Sequence, residues 1–423
     1  MITWPSPQLP QIPGSMPEVK ILDSTTQRLV TSTTGPIARI YVCGVTPYDA
    51  THIGHAATYV AFDLLNRAWR DAGYTVEFTS NVTDVDDPLL ERAAATGQDW
   101  WQLAQEQTAL FAEDMTALGV IPPDTYIGAV ESVPQVASAI SQMLAQGTAY
   151  RVATDPADLV SDTELGDVYA DLSKDPKFGA VANLEASERL DLFGQRGGDP
   201  QRAGKRSPLD PLLWRRERAG EPAWDAGDLG KGRPGWHIEC AVIAKQGLGA
   251  SFDVQGGGSD LLFPHHEMST SHMRVLENNA DAGAAFHLHA GLVSYQGEKM
   301  SKSLGNLVFV SKLRAAGVNP MVIRLALLGQ RYSSEWEWTD ALLEQAQERY
   351  DLWLAAVSGN GGPAAQDTLA AMRAALSNDL DAPQALAAVD AWAHLSLSNE
   401  YEPQEGAPGV ISRAVNALLG VRL

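Results

Sequence analysis

The sequence has 423 residues, of which 45% are apolar and 20% charged, values that allow two or three globular domains and exclude fibrous, collagen-like and low-complexity chains. Asp and Glu number 52 against 31 Lys and Arg, and the net charge of −21 disfavours tight binding to nucleic acid unless a local basic patch overrides it. The first residues lack a secretory signal pattern and no apolar run approaches the ~20 residues of a membrane span, so we expect a cytoplasmic protein.

The first regular elements are predicted to be a strand, a helix and a second strand. Residues 38–43 form a mostly apolar run typical of a buried strand, and residues 57–72 repeat apolar side chains at helical spacing. Residues 74–82 are rich in residues that favour strands. This order predicts a parallel α/β sheet, in which a ligand would bind at the carboxyl ends of the strands.

The rest of the chain alternates helical, irregular and strand-like patterns. Residues 89–146 are mainly helical in pattern, and the Gly-, Pro- and Asp-rich residues 155–228 indicate an insertion. Strand patterns at 251–255 and 286–294 are expected to complete the sheet that the amino-terminal residues begin. Helical patterns dominate from Lys312 to the end.

Two short motifs carry groups that bind phosphate. His52 and His55 flank a glycine where a loop becomes a helix, so imidazole donors, backbone N–H groups and a positive helix end come together. Lys299 and Lys302 lie three residues apart in a small loop able to close over a polyphosphate. Taken singly, each motif has a plain alternative, a helix cap with two unrelated histidines or a solvated basic turn.

Together the His-Ile-Gly-His and Lys-Met-Ser-Lys-Ser motifs resemble the signature of class I aminoacyl-tRNA synthetases. The resemblance implies a Rossmann-like parallel sheet with an insertion and a C-terminal helical domain. It also implies activation of a carboxylate by adenylation, in which His52, His55, Lys299 and Lys302 hold the phosphates of Mg-ATP. The implied domains are the first half of the catalytic domain (1–125), a connective insertion (126–228), the second half of the catalytic domain (229–311) and the helical domain (312–423).

The two cysteines of the chain, Cys43 and Cys240, are either ordinary buried thiols or metal ligands. With His265 they supply two thiolates and an imidazole, a plausible set of zinc ligands, although iron or cobalt suits the same donors. The spacing does not match a zinc finger, where ligands come in close pairs. A site assembled from distant segments favours catalysis or substrate binding over local folding.

These segments resemble the cysteinyl branch of the class I family over about residues 20–340. In that branch zinc takes the thiolate of the substrate cysteine, which explains rejection of serine without an editing domain. The resemblance implies that a further set of residues contacts the substrate or the adenylate. These are Cys43, Gly44, Val45, Thr46, Thr58, Asn81, Val82, Thr83, Trp236, Gly258, Ser259, Asp260 and Val293.

Several departures from the tRNA synthetases resemble instead the cysteine ligases of mycothiol biosynthesis. Ser269 stands where the synthetases have a fourth zinc ligand, the segment after Cys43 reads Gly-Val-Thr-Pro-Tyr, and residues 56–58 after the first motif read Ala-Ala-Thr, without the arginine usual there. Residues 195–200 also match those ligases, apart from Gln195 in place of Glu. The implied substrates are L-cysteine, ATP and glucosaminyl-inositol, and we expect a monomer that binds neither nucleic acid nor membranes.

Two alternatives remain, a short cysteinyl-tRNA synthetase and a catalytically inactive regulator that binds cysteine or zinc. From Lys312 onward 8 Lys and Arg face 13 Asp and Glu, and no basic aromatic stripe suited to a tRNA anticodon is evident. This favours a small acceptor. The base that deprotonates the acceptor amine is unassigned: Asp86 and Asp87 are candidates, and capping of the next helix is the alternative for both.

Overall fold

The computed structural model describes residues 3–154, 160, 165–300, 305–398 and 400–423. The strands are, in chain order, β1 (Lys20–Asp23), β2 (Arg28–Thr31), β3 (Ile37–Val45), β4 (Thr75–Val82), β5 (Thr125–Gly128), β6 (Ala149–Val152), β7 (Asp167–Ala170), β8 (Leu212–Arg216), β9 (Gly232–Pro234), β10 (Ser251–Gly258), β11 (Gly283–Ala290), β12 (Val293–Tyr295), β13 (Glu298–Lys299), β14 (Trp336–Trp338), β15 (Gly361–Gly362) and β16 (Gln404–Glu405). The helices are α1 (Ile53–Asp71), α2 (Asp87–Thr96), α3 (Trp100–Leu118), α4 (Ala129–Ala145), α5 (Ala186–Gln195), α6 (Trp236–Leu248), α7 (Glu267–Glu277), α8 (Val310–Ala315), α9 (Pro320–Leu328), α10 (Asp340–Val357), α11 (Gln366–Leu376), α12 (Ala382–Ser398) and α13 (Ala407–Leu419). Within the described ranges, no helix combines the length and the apolar character needed to span a membrane.

The centre of the molecule is a parallel sheet with the strand order β11-β10-β3-β4-β5. The predicted parallel α/β sheet is therefore confirmed. Ile40 and Val42 of β3 belong to the core shared with α1, whereas Tyr41 and Cys43 belong to a second core shared with α6. Because both faces of the sheet are covered here, the consecutive residues 40–43 are all buried and read as a continuous apolar run.

The predicted strands at 38–43, 74–82 and 251–255 correspond to β3, β4 and β10, and the helix predicted at 57–72 is α1. The short strand β5 interrupts the region predicted to be mainly helical. The prediction that residues 286–294 form one strand of the central sheet is wrong beyond Ala290. β11 stays in the central sheet, while β12 joins a separate sheet of order β13-β12-β14.

The chain leaves the central sheet at Gly291, between β11 and β12. The Gly291 N–H donates to the carbonyl of Tyr332 at 2.7 Å. A Cβ at position 291 would lie 2.0 Å from the carbonyl oxygen of Ser334, so only glycine fits this close approach. The turn therefore depends on residues that lie far along the chain.

The region between α4 and α6 contains an antiparallel sheet of order β6-β7-β8-β9. Turn residues of the same region contact Glu267, the first residue of α7. The buried Glu267 carboxylate accepts hydrogen bonds from the N–H groups of Gly179, Val181 and Ala182 at 2.8–2.9 Å. The domain boundaries proposed from the sequence stay a prediction.

The C-terminal helices pack on α1 around a fully buried carboxylate. Asp63 of α1 accepts from Nε of Arg67 at 2.6 Å and from Arg324 of α9, and Arg324 also donates to the carbonyl of Leu419 in α13 at 2.6 Å. Burial by itself raises the pKa of Asp63, but the two guanidinium groups and the N–H of Ile121 outweigh it and hold that pKa below its usual range. This network fixes α1, which begins at the predicted phosphate site.

Candidate active site

A cavity of about 420 Å³ lies at the carboxyl ends of β3 and β10, between the first turn of α1 and β12. This is the edge at which ligands bind in parallel α/β sheets. The predicted site residues that line it are Cys43, Gly44, Val45, Thr46, His52, His55, Thr58, Trp236, Gly258, Asp260 and Val293. Lining residues that sequence analysis missed are Tyr48, Tyr59, Leu261, Gly291 and Leu292. Each of these is within two residues of a predicted one, which is the signal that would have found them.

The other residues predicted to contact the adenylate do not line the cavity. Val82 and Ser259 are among them, as are the buried Asn81 and Thr83, which support the lining from behind. Asn81 Oδ1 accepts from the Gly44 N–H at 2.8 Å, and its Nδ2 donates to Thr83 Oγ1 at 3.2 Å. A Cβ on Gly44 would lie 1.6 Å from the Asn81 carbonyl oxygen. These residues therefore shape the backbone after β3.

The two histidines of the first motif stack at the start of α1, with ring centroids 3.7 Å apart. His52 is the N-cap, and its Nδ1 accepts from the N–H groups of Gly54 at 3.1 Å and His55 at 3.4 Å. In a neutral ring this leaves the proton of His52 on Nε2. Burial lowers the pKa of His55 to about 4, so this ring is also neutral near pH 7. Neutral imidazole donors beside a helix amino terminus suit a phosphate group.

The structure describes only the first residues of the second motif. Lys302 lies outside the described residues, and only the backbone of Lys299 is described, at the end of β13. Met300 lines the cavity, and its N–H is 3.5 Å from the carbonyl oxygen of Val293. The motif thus begins at the cavity wall, and the roles of both lysines stay a prediction.

The three predicted metal ligands meet beside the cavity. Their donor atoms, from Cys43, Cys240 and His265, all lie within 4.8 Å of one another, and all three residues are buried. Burial, and next the neighbouring Cys43, raises the pKa of the Cys240 thiol well above its usual value. A divalent cation would compensate the charge of the two thiolates that this dry site otherwise disfavours.

The imidazole of His265 is oriented for such a cation. Its Nδ1 faces Nδ1 of His237 at 2.9 Å, and its ring stacks on Trp236 with centroids 4.1 Å apart. Its buried Nε2 has no hydrogen-bond partner among the residues that the structure describes. A buried nitrogen without a partner is costly unless it binds a ligand. The donor set therefore fits zinc.

Ser269 does not act as a fourth donor. Its Oγ accepts from Nε2 of Gln255 at 3.0 Å and donates to the carbonyl of His266 at 3.3 Å. Among the Cys, His, Asp and Glu residues that the structure describes, no fourth one joins the cluster. If these three residues bound zinc, one coordination position would remain open for a substrate atom.

A chain of histidines, to which sequence analysis gave no role, supports Cys43. Ser24 Oγ is 2.8 Å from Nδ1 of His289, His289 Nε2 is 2.8 Å from Nδ1 of His266, and His266 Nε2 is 3.2 Å from Sγ of Cys43. Burial lowers the pKa of His289 to about 3 and lowers that of His266 well below its usual value. Both rings are neutral, and one choice of tautomers lets every link donate toward the sulfur.

The two carboxylates considered as general bases lie outside the cavity lining. Asp86 is the N-cap of α2, and its Oδ1 accepts from the Asp87 N–H at 2.8 Å. Asp87 pairs with Arg233. The capping alternative is thus confirmed for Asp86.

Comparisons with known proteins agree with this geometry. A family model for the catalytic domain of class I tRNA synthetases (C) matches residues 30–348. L-cysteine:1D-myo-inositol 2-amino-2-deoxy-alpha-D-glucopyranoside ligases of Sanguibacter keddieii, Cellulomonas flavigena and Streptomyces coelicolor are 67%, 63% and 54% identical to the chain, each over 100% of both sequences. The chain belongs to this ligase family. The resemblance to the cysteine ligases is therefore confirmed over the whole chain.

Solved structures place the ligase family in the class I synthetase fold. The methionyl-tRNA synthetase of Mycobacterium tuberculosis in complex with methionyl-adenylate has a TM-score of 0.61 and 18% identity, covering 91% of this chain and 92% of its own. The agnB2 LeuRS of Agrobacterium radiobacter K84 also has a TM-score of 0.61. Its sequence identity is 14%, and the match covers 91% of this chain and 83% of that one. At such identities the likeness shows the fold alone, which is the predicted one.

Proposed function

We propose that the chain joins L-cysteine to the amine of 1D-myo-inositol 2-amino-2-deoxy-α-D-glucopyranoside at the expense of ATP. The observation that carries this is the 67% identity, over the full length of both chains, to a ligase of that name. In the first half-reaction a cysteine carboxylate oxygen attacks the α-phosphorus of ATP and pyrophosphate leaves. In the second the amine attacks the carbonyl carbon of cysteinyl-adenylate, an amide bond forms, and AMP and a proton leave.

Cys43, Cys240 and His265 would hold one zinc ion. A zinc ion bound there supplies an open position for a thiolate, which the hydroxyl of serine matches poorly. The protein side of this recognition comes from neighbouring rings: Trp236 covers the face of His265 while lining the cavity, and His237 orients the same imidazole. This arrangement supports a cysteine site at one end of the cavity.

The opposite parts of the cavity would bind the nucleotide. His52 and His55 at the start of α1 would donate to the phosphates, and Lys299 and Lys302 would neutralise the charge that develops during attack. Their support is the stacked geometry of the two rings, the lowered pKa of His55 and the position of Met300 at the cavity wall. The backbone of Val293, which lines the same cavity, would face the adenine.

A role as a cysteinyl-tRNA synthetase is the second candidate. The class I (C) family model and the shared fold are compatible with it. Full-length identity to the amino-sugar ligases and the net charge of −21 favour the small acceptor. We therefore propose a monomeric enzyme of the cytoplasm that does not use nucleic acid.

The test is AMP formation by the purified chain with L-cysteine and ATP, with the amino sugar or bulk tRNA as acceptor. Serine in place of cysteine is the control for the amino acid. The proposal predicts turnover with cysteine and the amino sugar and none with tRNA. Turnover with tRNA alone would make the chain a synthetase, and absence of cysteine-dependent exchange between ATP and pyrophosphate would favour an inactive regulator.

A further inference from the structure

The wall of the cavity formed by Gly291, Leu292 and Val293 is held from outside by the chain that follows α9. The Gly291 N–H donates to the carbonyl of Tyr332 at 2.7 Å, and the N–H of Trp336 donates to the carbonyl of Leu292 at 3.2 Å. β12 then runs parallel to β14, with Val293 opposite Trp336. The position of this wall therefore depends on residues 332–338.

Tyr332 is in turn anchored by the C-terminal helical region. Its hydroxyl donates to Oδ1 of Asp379, which lies between α11 and α12, at 2.6 Å. The same Oδ1 accepts from the Leu22 N–H at 2.9 Å, and Oδ2 accepts from Nη2 of Arg331 at 3.0 Å. Both Tyr332 and Asp379 are buried, at 9% and 7% exposure. Burial, with Asp379 next in importance, raises the pKa of Tyr332, so its hydroxyl remains a donor.

The backbone at Asp379 and Leu380 adopts a conformation that is uncommon for residues other than glycine. Asp379 and Leu380 have φ angles of +58° and +51°, in the left-handed region that favours glycine. The Asp379 N–H donates to the carbonyl of Lys20 at 2.9 Å, which holds the turn against β1. Non-glycine residues keep such angles only where the surrounding contacts over-determine them, and they concentrate at functional sites. Here the conformation aims one carboxylate at Tyr332, Leu22 and Arg331.

We propose that Asp379 is a positioning residue for ATP, acting through Tyr332 on the wall of the nucleotide pocket. The inference rests on the proposed function, in which that wall faces the adenine. In this proposal the C-terminal helices position the nucleotide pocket of an enzyme whose acceptor is a small molecule. The same strand, β12, continues into β13 and the lysine motif, so a displaced wall would also shift the start of that motif.

The test uses Tyr332→Phe and Asp379→Asn in the full-length enzyme, with Tyr150→Phe as the matched control. Tyr150 of β6 is 7% exposed and its hydroxyl donates to Asp210 at 2.7 Å, but it is not among the described residues that line the cavity. Exchange between ATP and pyrophosphate is measured as a function of ATP and of cysteine concentration, together with metal content and Tm. We expect the KM for ATP to rise about tenfold in both variants, since small displacements of a binding group have effects of this order or larger.

The KM for cysteine and the metal content should stay at their wild-type values, and Tyr150→Phe should lower Tm without changing the KM for ATP. An unchanged KM for ATP in Tyr332→Phe and Asp379→Asn, with only Tm lowered, would show a merely structural role and overturn the proposal. So would an equal rise in the Tyr150→Phe control. Failure of the wild-type chain to exchange pyrophosphate with cysteine would instead contradict the proposed function, so the two failures are distinguishable.

Discussion

At the scale of single residues, His265 is the ligand whose surroundings most clearly require a partner. Its Nδ1 faces His237, and its buried Nε2 has no hydrogen-bond partner in the described part of the chain. We expect His265→Asn to lower zinc affinity by at least about 100-fold, because even residues behind metal ligands are worth about 10- to 100-fold. Metal content after dialysis against a chelator measures this. His394→Asn, which changes an exposed histidine of α12, is the control, and full zinc retention by the His265 variant would contradict the assignment.

His287 provides a prediction for the dependence of stability on pH. It is buried between the hydroxyls of Thr25 and Thr270, and burial lowers its pKa to about 3. An unfolded histidine has a pKa of about 6.5, so between these values the unfolded chain binds one proton more. The contribution of neutral His287 to the free energy of unfolding is therefore fully present above pH ~6.5. It falls as the pH is lowered, by at most ~1.4 kcal/mol per pH unit.

The measurement is the free energy of unfolding in urea at several pH values between 7.5 and 5. His287→Asn should lower stability at pH 7.5 but show a shallower decline toward pH 5 than the wild type. Metal loss in acid affects both proteins, so the difference in slope isolates the histidine. Equal slopes would mean that His287 takes up its proton over the same pH range in the folded and unfolded chains, which would contradict the prediction.

The sequence predicted that Cys43, Cys240 and His265 form one donor cluster, whose donor atoms lie within 4.8 Å of one another in the structure, and metal binding there stays a prediction. The sequence could not predict that His266 and His289 link Cys43 to Ser24. That chain requires the rotamers and register of β11 and of the turn before α7, which only the folded structure defines. The pair of histidines at 287 and 289, on one face of a strand, was the available signal.

At the scale of elements, the segment of residues 195–200 contacts the cavity lining through Arg196. Arg196, at the end of α5, donates from Nη1 to the carbonyl of Asp260 at 2.6 Å and to that of Phe263. Asp260 lines the cavity, and Phe263 lies two residues before His265. The segment that resembles the ligases therefore has a structural task, while Gln195, its departure from them, is exposed.

We expect Arg196→Ala to weaken this connection by about 1.5–3 kcal/mol, the usual range for hydrogen bonds made by charged groups. The expected result is a higher KM for cysteine and weaker zinc retention, measured by pyrophosphate exchange and metal analysis. Arg189→Ala, in the same helix but stacked on Phe178, is the control and should leave both unchanged. Identical kinetics in the two variants would exclude a link from Arg196 to the cysteine site.

Elements whose course depends on distant residues were beyond sequence reasoning. The strand predicted at 286–294 breaks at Gly291 because that residue bonds to Tyr332, which no local window contains. Strand β3 was predictable because its apolar run reflects burial on both faces, and β4 was predictable because it is rich in residues that favour strands. The four-residue strand β5 was missed because so short a segment carries no clear period.

At the scale of the whole molecule, the buried Asp63 network joins α1 to the C-terminal helices. Asp63→Asn leaves Arg67 and Arg324 buried without a counter-charge, so we expect a loss of about 3–5 kcal/mol in the free energy of unfolding. Asp390→Asn, which removes the partly exposed partner of Arg349, should cost about 1 kcal/mol or less. Chemical denaturation measures both. Equal losses would show that the buried Asp63 network stabilises the fold no more than the partly exposed pair of Arg349 and Asp390.

The central claim is that cysteine is transferred to an amino sugar and not to tRNA. The most direct measurement is mass spectrometry of the products formed from L-cysteine, ATP and both acceptors together in one reaction. The account predicts an amide whose mass is that of cysteine plus the amino sugar less one water, formed in equal amount with AMP. Cysteinyl-tRNA without that amide would contradict it.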